Sequence, residues 1–179
     1  MRLRVVAGEL GGRFFRGPPG RAVRPTSERV REAWFSALGE RVVGARVLDL
    51  FAGSGALGIE ALSRGAAHVH FVEADARAAR VVRRNVESLG LVERARISRR
   101  DVFALLAELG GRGEEFAVAL ADPPYGGGMA ERLIRLYRED PFAGLLCLER
   151  RRGAVGEEGG DVVWERRYGD TVLTFLEAC

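Results

Sequence analysis

Lysine and glutamine are missing from the chain altogether, and Asn85 is its single asparagine. All 28 basic side chains are therefore arginine. Such depletion of amide side chains matches a heat-adapted proteome, and a GC-rich genome produces the same bias. Cysteine is scarce as well. Cys147 and Cys179 stand apart and outside any Cys-x-x-Cys, which excludes a disulfide scaffold and a zinc cluster. His68 and His70 alternate along one predicted strand with no acidic ligand at metal spacing, so they read as structural. No run approaches the ~20 apolar residues of a membrane span, and the N-terminus has no apolar signal region. A cytoplasmic protein with no membrane or metal partner is expected. What is present is 179 residues, 47% apolar, the size and composition of a globular domain.

Charge is spread unevenly along it. Residues 1–46 hold ten arginines against four glutamates, while the remaining residues are slightly acidic. That asymmetry suggests an N-terminal arm for a polyanion on a near-neutral body, against the plainer reading of a solvated arginine-rich surface. Residues 1–25 are accordingly read as a basic β-hairpin arm and 26–179 as the main domain.

Leu3–Ala7 and Arg13–Arg16 flank Gly8, Gly11 and Gly12 as two short strands around a turn. Thr26 offers an N-cap to a helix carrying Val30, Ala33, Trp34, Ala37 and Leu38 at helical spacing. From residue 46, strands at 47–50, 68–73, 95–98, 116–121 and 145–149 alternate with helices up to about residue 62 and at 76–89, 102–109 and 129–138. A terminal hairpin turns at Gly169-Asp170. The alternation predicts an α/β, Rossmann-like domain: a mostly parallel sheet with helices on both faces and a C-terminal antiparallel hairpin. Its ligand belongs beyond the carboxyl ends of the strands, at the switch point.

Gly53, Gly55 and Gly58 form a G-x-G-x-x-G between the first of these strands and its helix. Such turns also serve simple packing. Glu73 closes the next strand, where an acid bridges ribose hydroxyls, and the pair favours an adenosine-containing cofactor. Asp49 lies four residues before Gly53. A carboxylate there repels a pyrophosphate and suits the ammonium and sulfonium of S-adenosylmethionine, although an acid that merely caps the turn fits the same position. Asp101 opens a helix after the third strand of the series, either as an N-cap or as an acceptor for an adenine amino group. Phe51, Ala74 and Val102 flank these positions and complete the candidate cofactor set.

Asp122-Pro123-Pro124-Tyr125 closes the strand at 116–121. The prolines fix φ and hold Asp122 extended, giving a stiff ledge with a carboxylate, a free carbonyl and a flat ring. An exocyclic amine such as adenine N6 or guanine N2 can donate one hydrogen to Asp122 and one to the Pro123 carbonyl. Its nitrogen then pyramidalises, and its lone pair is free to face a methyl donor. Tyr125 would stack on the base. A plain strand-ending turn explains the two prolines but neither the acid before them nor the ring after.

Asp49-Leu-Phe-Ala-Gly-Ser-Gly55, Glu73, Asp101 and Asp122-Pro-Pro-Tyr125, in that order, resemble the class I S-adenosylmethionine-dependent amino-methyltransferases. Arg4-Val-Val-Ala-Gly8, Arg24-Pro-Thr-Ser-Glu-Arg-Val-Arg-Glu32 and Phe51 through Arg64 look like the bacterial 16S rRNA guanine-N2 methyltransferases of the RsmD type. The resemblance implies methylation of one guanine in 16S rRNA within a small ribosomal subunit; a monomer is expected. The choice of guanine over adenine rests on it alone. Basic contacts to RNA would come from arginines, with Arg4, Arg13, Arg16, Arg24 and Arg29 as candidates. A DNA adenine-N6 methyltransferase would use the same ledge but normally carries a target-recognition insert. An NAD-dependent oxidoreductase fits the glycines and is opposed by Asp49. A non-catalytic RNA-binding protein is favoured only if the cofactor pocket is empty.

Overall fold

The computed structural model describes residues 1–20, 26–110, 115–152 and 161–178. Five short strands lie parallel: β3 (Arg46–Leu50), β4 (His68–Val72), β5 (Ala95–Ser98), β6 (Val118–Ala121) and β7 (Leu145–Arg151). The closing hairpin, β8 (Val162–Tyr168) and β9 (Thr171–Glu177), adds two antiparallel strands in the order β5-β4-β3-β6-β7-β9-β8. The order reverses between β3 and β6, which leaves a crevice beyond their carboxyl ends.

Side chains alternate across this sheet and build two cores. Val47, Val118, Leu120, Leu145, Cys147, Leu173 and Phe175 pack with α1 (Glu28–Leu38), α2 (Ala56–Ser63) and α3 (Ala76–Ser88). Leu48, Leu50, Ala119, Ala121, Leu146 and Leu148 pack on the other face with α4 (Val102–Leu109) and α5 (Met129–Glu139). Period-two alternation then places the polar residues that end the strands. Asp49, Asp122 and Glu149 each continue a series that faces α1 and α2. β6 and β7 pair with Ala121 opposite Leu148, so the next step sets Asp122 beside Glu149. Cys147 is a fully buried core residue, as its apolar strand implies. His70 is buried too; its Nε2 meets Ser98 Oγ at 2.7 Å, and burial pushes its pKa down to about 4.

β1 (Arg2–Arg4) and β2 (Phe14–Arg16) pair antiparallel as a small separate sheet, shorter at their inner ends than the apolar runs suggest. The hairpin is pinned to the main domain rather than hanging from it. Val5, Leu10 and Phe15 are buried in the core formed with α1–α3. The buried Glu60 carboxylate accepts from the backbone N–H of Val6 and Ala7, both at 3.0 Å. Asn85 Oδ1 accepts from Arg16 N, and its Nδ2 donates to the carbonyls of Arg16 and Ser54, all at 2.9 Å. The hairpin backbone passes so close to α2 that a Cβ at Gly8 would collide with the Ser63 carbonyl. The fully buried Arg31 lies within the same junction. Its Nη2 donates to the Arg4 carbonyl at 2.9 Å, and its Nη1 is 3.5 Å from Glu60. Burial lowers the Arg31 pKa, with the Glu60 charge opposing the shift.

The start of α1 corrects the expectation for Thr26. The N-cap is Ser27, whose hydroxyl accepts from Val30 N. That leaves the Thr26 hydroxyl free of the helix and turned to the crevice. Among the described residues, no helix is long and apolar enough to cross a membrane.

Candidate active site

After β3 the backbone turns at Phe51, which takes a left-handed φ of 59° that is costly for a residue with a side chain. Its ring is held edge-to-face on Phe103, with centroids 6.1 Å apart. Gly53 and Gly55 follow at φ 60° and 85°, values that favour glycine. Gly58 is needed for a different reason, because a Cβ there would strike the Phe71 ring and crowd Asp49. Beside Gly53 the space is open, the nearest atom to a would-be Cβ being the Phe51 carbonyl at 4.0 Å.

Acids surround this turn. Asp49 is buried, and its Oδ2 accepts from Gly58 N at 2.9 Å, so it does cap the start of α2. Burial pushes its carboxyl well above the usual range. The Gly58 bond opposes that shift, and the charges of Asp122 and Glu73 add to it. Glu73 lies just past β4; its Oε2 accepts from Gly53 N at 2.8 Å and its Oε1 from Asp75 N at 2.9 Å. Ala74, next to it, is exposed. The loop after β5 is tied back by Arg100 N donating to the Glu73 carbonyl at 3.1 Å. Asp101 then caps α4, accepting from Ala104 N at 3.0 Å, and Val102 is buried behind it. The cofactor candidates thus sit along the carboxyl ends of three neighbouring strands, β3, β4 and β5.

The ledge stands on the other side of the switch point. Asp122 Oδ2 accepts from Thr26 Oγ1 at 2.8 Å, a bond across 96 residues of chain. The same hydroxyl is 3.5 Å from Glu149 Oε2. Tyr125 is half exposed; its hydroxyl donates to Glu149 Oε1 and meets Thr171 Oγ1, both at 3.1 Å. The Arg151 guanidinium lies over the Tyr125 ring at 5.5 Å. Burial raises the pKa of Asp122, held back by its bonds to Thr26 and Glu149. Burial and the neighbouring Asp122 push Glu149 up to about 8. Pro123, Tyr125, Met129 and Glu149 line a small cavity of about 70 Å³ beside the ledge, closed in by Pro124 and Arg151.

Thr26, Glu149 and Thr171 belong to this group, and sequence reasoning did not find them. The signal for Glu149 was an acid continuing the buried series Leu145, Cys147 on a strand whose neighbour ends in Asp122. Reading it requires the sheet order, which periodicity does not supply.

The arginine candidates are scattered more widely. Arg4 is half exposed and ion-paired with Glu28 at 2.8 Å. Arg13 is exposed and donates to the Ser88 carbonyl at 3.2 Å. Arg16 and Arg29 are exposed, and Arg24 lies outside the described residues. Beside them an open groove of about 1400 Å³ runs between the hairpin and α3, lined by Arg2, Phe14, Arg16 and Arg84 among others. Arg2 stacks over the exposed Phe14 ring at 4.0 Å.

A sheet reversed at its central strands, with a glycine turn on one side of the crevice and Asp-Pro-Pro-Tyr on the other, is the arrangement of a class I methyltransferase. Comparison with known proteins gives the family. The model of the family described as Conserved hypothetical protein 95 matches residues 3–177, and the chain belongs to that family. YlbH of Bacillus subtilis, an rRNA methyltransferase by assignment, is 37% identical over 98% of this chain and 92% of its own. The ribosomal RNA small subunit methyltransferase D of Escherichia coli is 35% identical over 78% of this chain and 68% of its own. A solved Escherichia coli structure, yhhF, assigned as a methyltransferase, is 30% identical; it superposes with a TM-score of 0.84 over 99% of this chain and 98% of its own.

Proposed function

We propose that this protein transfers the methyl group of S-adenosylmethionine to the exocyclic N2 of one guanine in 16S rRNA, acting as a monomer on a protein-bearing small-subunit particle. The observation that carries the reading is the Asp122 carboxylate, fixed by Thr26 at the mouth of the crevice and facing the glycine turn across the switch point.

The residues around the turn suit this cofactor. Asp49, Glu73 and Asp101 line three strand ends, and the Gly53-Ser54-Gly55 turn between them carries no basic side chain. That donor set repels a pyrophosphate and accepts from hydroxyl, ammonium and amino groups. Asp49, Phe51, Gly53 and Gly55 would hold the amino-acid end, Glu73 and Ala74 the ribose, and Asp101 and Val102 the adenine. When bound, the cofactor supplies an electrophilic methyl on a sulfonium.

The chain does the rest by positioning. Asp122 and the Pro123 carbonyl each accept one N–H of the guanine amine, which directs the nitrogen lone pair out of the ring plane. Asp122 also stabilises the positive charge that builds on that nitrogen; as the methyl leaves the sulfonium, a neutral thioether remains on the cofactor and the methylated amine gives up one proton to water. Pro124 keeps the ledge rigid, and Tyr125 offers its half-exposed ring for stacking. The basic hairpin and the start of α1, through Arg4, Arg13, Arg16, Arg24 and Arg29, supply affinity for phosphates but little sequence readout. Specificity then comes from the shape of the particle, and the ledge demands a base displayed outside a stacked helix. The names of the two relatives above fit this choice: they are described as an rRNA methyltransferase and a small-subunit rRNA methyltransferase. The test is transfer of tritiated methyl from S-adenosylmethionine to small subunits from cells lacking the gene. Label in 16S rRNA supports the reading, and label confined to DNA overturns it.

A further inference from the structure

The ledge is held from behind by a third element. A hydroxyl has one hydrogen, and the Thr26 hydrogen is committed to Asp122 Oδ2 at 2.8 Å. Glu149 Oε2 comes within 3.5 Å of the same hydroxyl, whose one hydrogen already serves Asp122, so a proton on Glu149 completes the contact. The two carboxyls stand side by side at the ends of paired strands, where both cannot easily be charged. The other Glu149 oxygen accepts from Tyr125.

We propose that Glu149, protonated beside Asp122 and facing the Thr26 hydroxyl while accepting from Tyr125, is the positioning residue that sets the acceptor ledge. It rests on the methyltransferase reading above. Glu149 touches no reacting atom. It joins the two parts of the ledge that must meet one guanine, the carboxylate for the amine and the ring for the base face, through a single buried side chain on β7. Its titratable and charged neighbours are Asp122 and Tyr125 from the ledge, Arg151 over the Tyr125 ring, Glu131 of α5 across the small cavity, and Arg150 on its own strand. Arg150 bonds Thr174 and Glu165, so its charge is occupied elsewhere. Thr26 and Thr171 are neutral. Burial pushes the Glu149 carboxyl up to about 8, and the Asp122 charge acts the same way. Above that, two adjacent carboxylates share one hydroxyl hydrogen, and the ledge loses its single arrangement.

The test combines a pH profile with two variants. Wild-type kcat/KM should fall as pH rises through about 8. Glu149→Ala should lower kcat by about 10–100-fold, the cost of a misplaced acceptor group, with affinity for S-adenosylmethionine little changed. Glu149→Gln copies the neutral acid. It should restore most of the kcat lost in the alanine variant and abolish the alkaline fall. A glutamine variant as impaired as alanine, or an alkaline limb unchanged in it, overturns the proposal. Carbon-13 NMR of the Glu149 carboxyl in the free protein reads the same point without activity. Titration near 8 supports the proposal and titration near the ordinary 4.5 overturns it. Failure of the wild type to methylate any RNA would instead defeat the methyltransferase reading, and the NMR titration still decides the state of Glu149.

Discussion

Two acceptors one peptide bond apart are enough to catch both hydrogens of an aromatic amine, and Asp122 and Pro123 are such a pair. Asp122→Ala should abolish transfer while leaving S-adenosylmethionine affinity nearly intact by calorimetry, because the ledge lies on the acceptor side of the crevice. Unchanged turnover would mean that the ledge is only structural. Tyr125→Ala should weaken acceptor binding by about 1–3 kcal/mol through lost stacking. Tyr125→Phe keeps the ring and gives up the bonds to Glu149 and Thr171, about 0.5–1.5 kcal/mol for a hydrogen bond. If phenylalanine cost as much as alanine in a binding titration, the hydroxyl and not the ring would be the functional part. Asp122-Pro-Pro-Tyr125 and Gly53–Gly58 were legible in the sequence because each is contiguous and its chemistry local. Thr26 was read as a helix cap, since a Thr-Ser pair offers two caps and nothing local says which one the helix takes. Glu149 and Thr171 were invisible because only the sheet brings them to Tyr125.

Most element types and cores followed from periodicity. Among the described residues, the parallel strands, the α-helices and the terminal hairpin fall within a few residues of the expected places, since continuous apolar runs between helices leave few alternatives. How the N-terminal hairpin sits did not follow. Its docking rests on backbone N–H groups bound by Glu60, Ser63 and Asn85, and a backbone donor leaves no mark in a sequence. Two of these anchors look unremarkable in α2, and the third, in α3, is the lone asparagine. Glu60→Ala would leave the buried Arg31 without the carboxylate it pairs with and strip two hairpin amides of their acceptor. Chemical denaturation should show a loss of about 3–5 kcal/mol. A loss under about 1 kcal/mol would show that the hairpin contributes little to folding. The element matters for function because Arg31 ties α1 to the Arg4 carbonyl of the hairpin, and Thr26, five residues before it, meets Asp122.

At the scale of the whole molecule, the hairpin carries Arg2, Arg4, Arg13 and Arg16 against Glu9, while Asp49, Glu73, Asp101 and Asp122 edge the crevice. An RNA chain drawn to the arginines is repelled by the crevice except where a neutral base with an exocyclic amine enters it. Replacing Arg13, Arg16 and Arg29 together with alanine should weaken RNA binding and flatten its salt dependence, by roughly 0.7–0.9 in the log-log slope for each lost phosphate contact. Arg4 should contribute less, since Glu28 already pairs with it. An unaltered slope in the triple variant would return these arginines to an ordinary solvated surface. Cofactor binding should be untouched in either case. The identity of the methylated nucleoside bears most directly on everything above. Small subunits from a strain lacking the gene, incubated with the purified protein and S-adenosylmethionine, should yield one new nucleoside by mass spectrometry of digested 16S rRNA: N2-methylguanosine. N6-methyladenine in DNA, with 16S rRNA left unmodified, would contradict the proposed reaction.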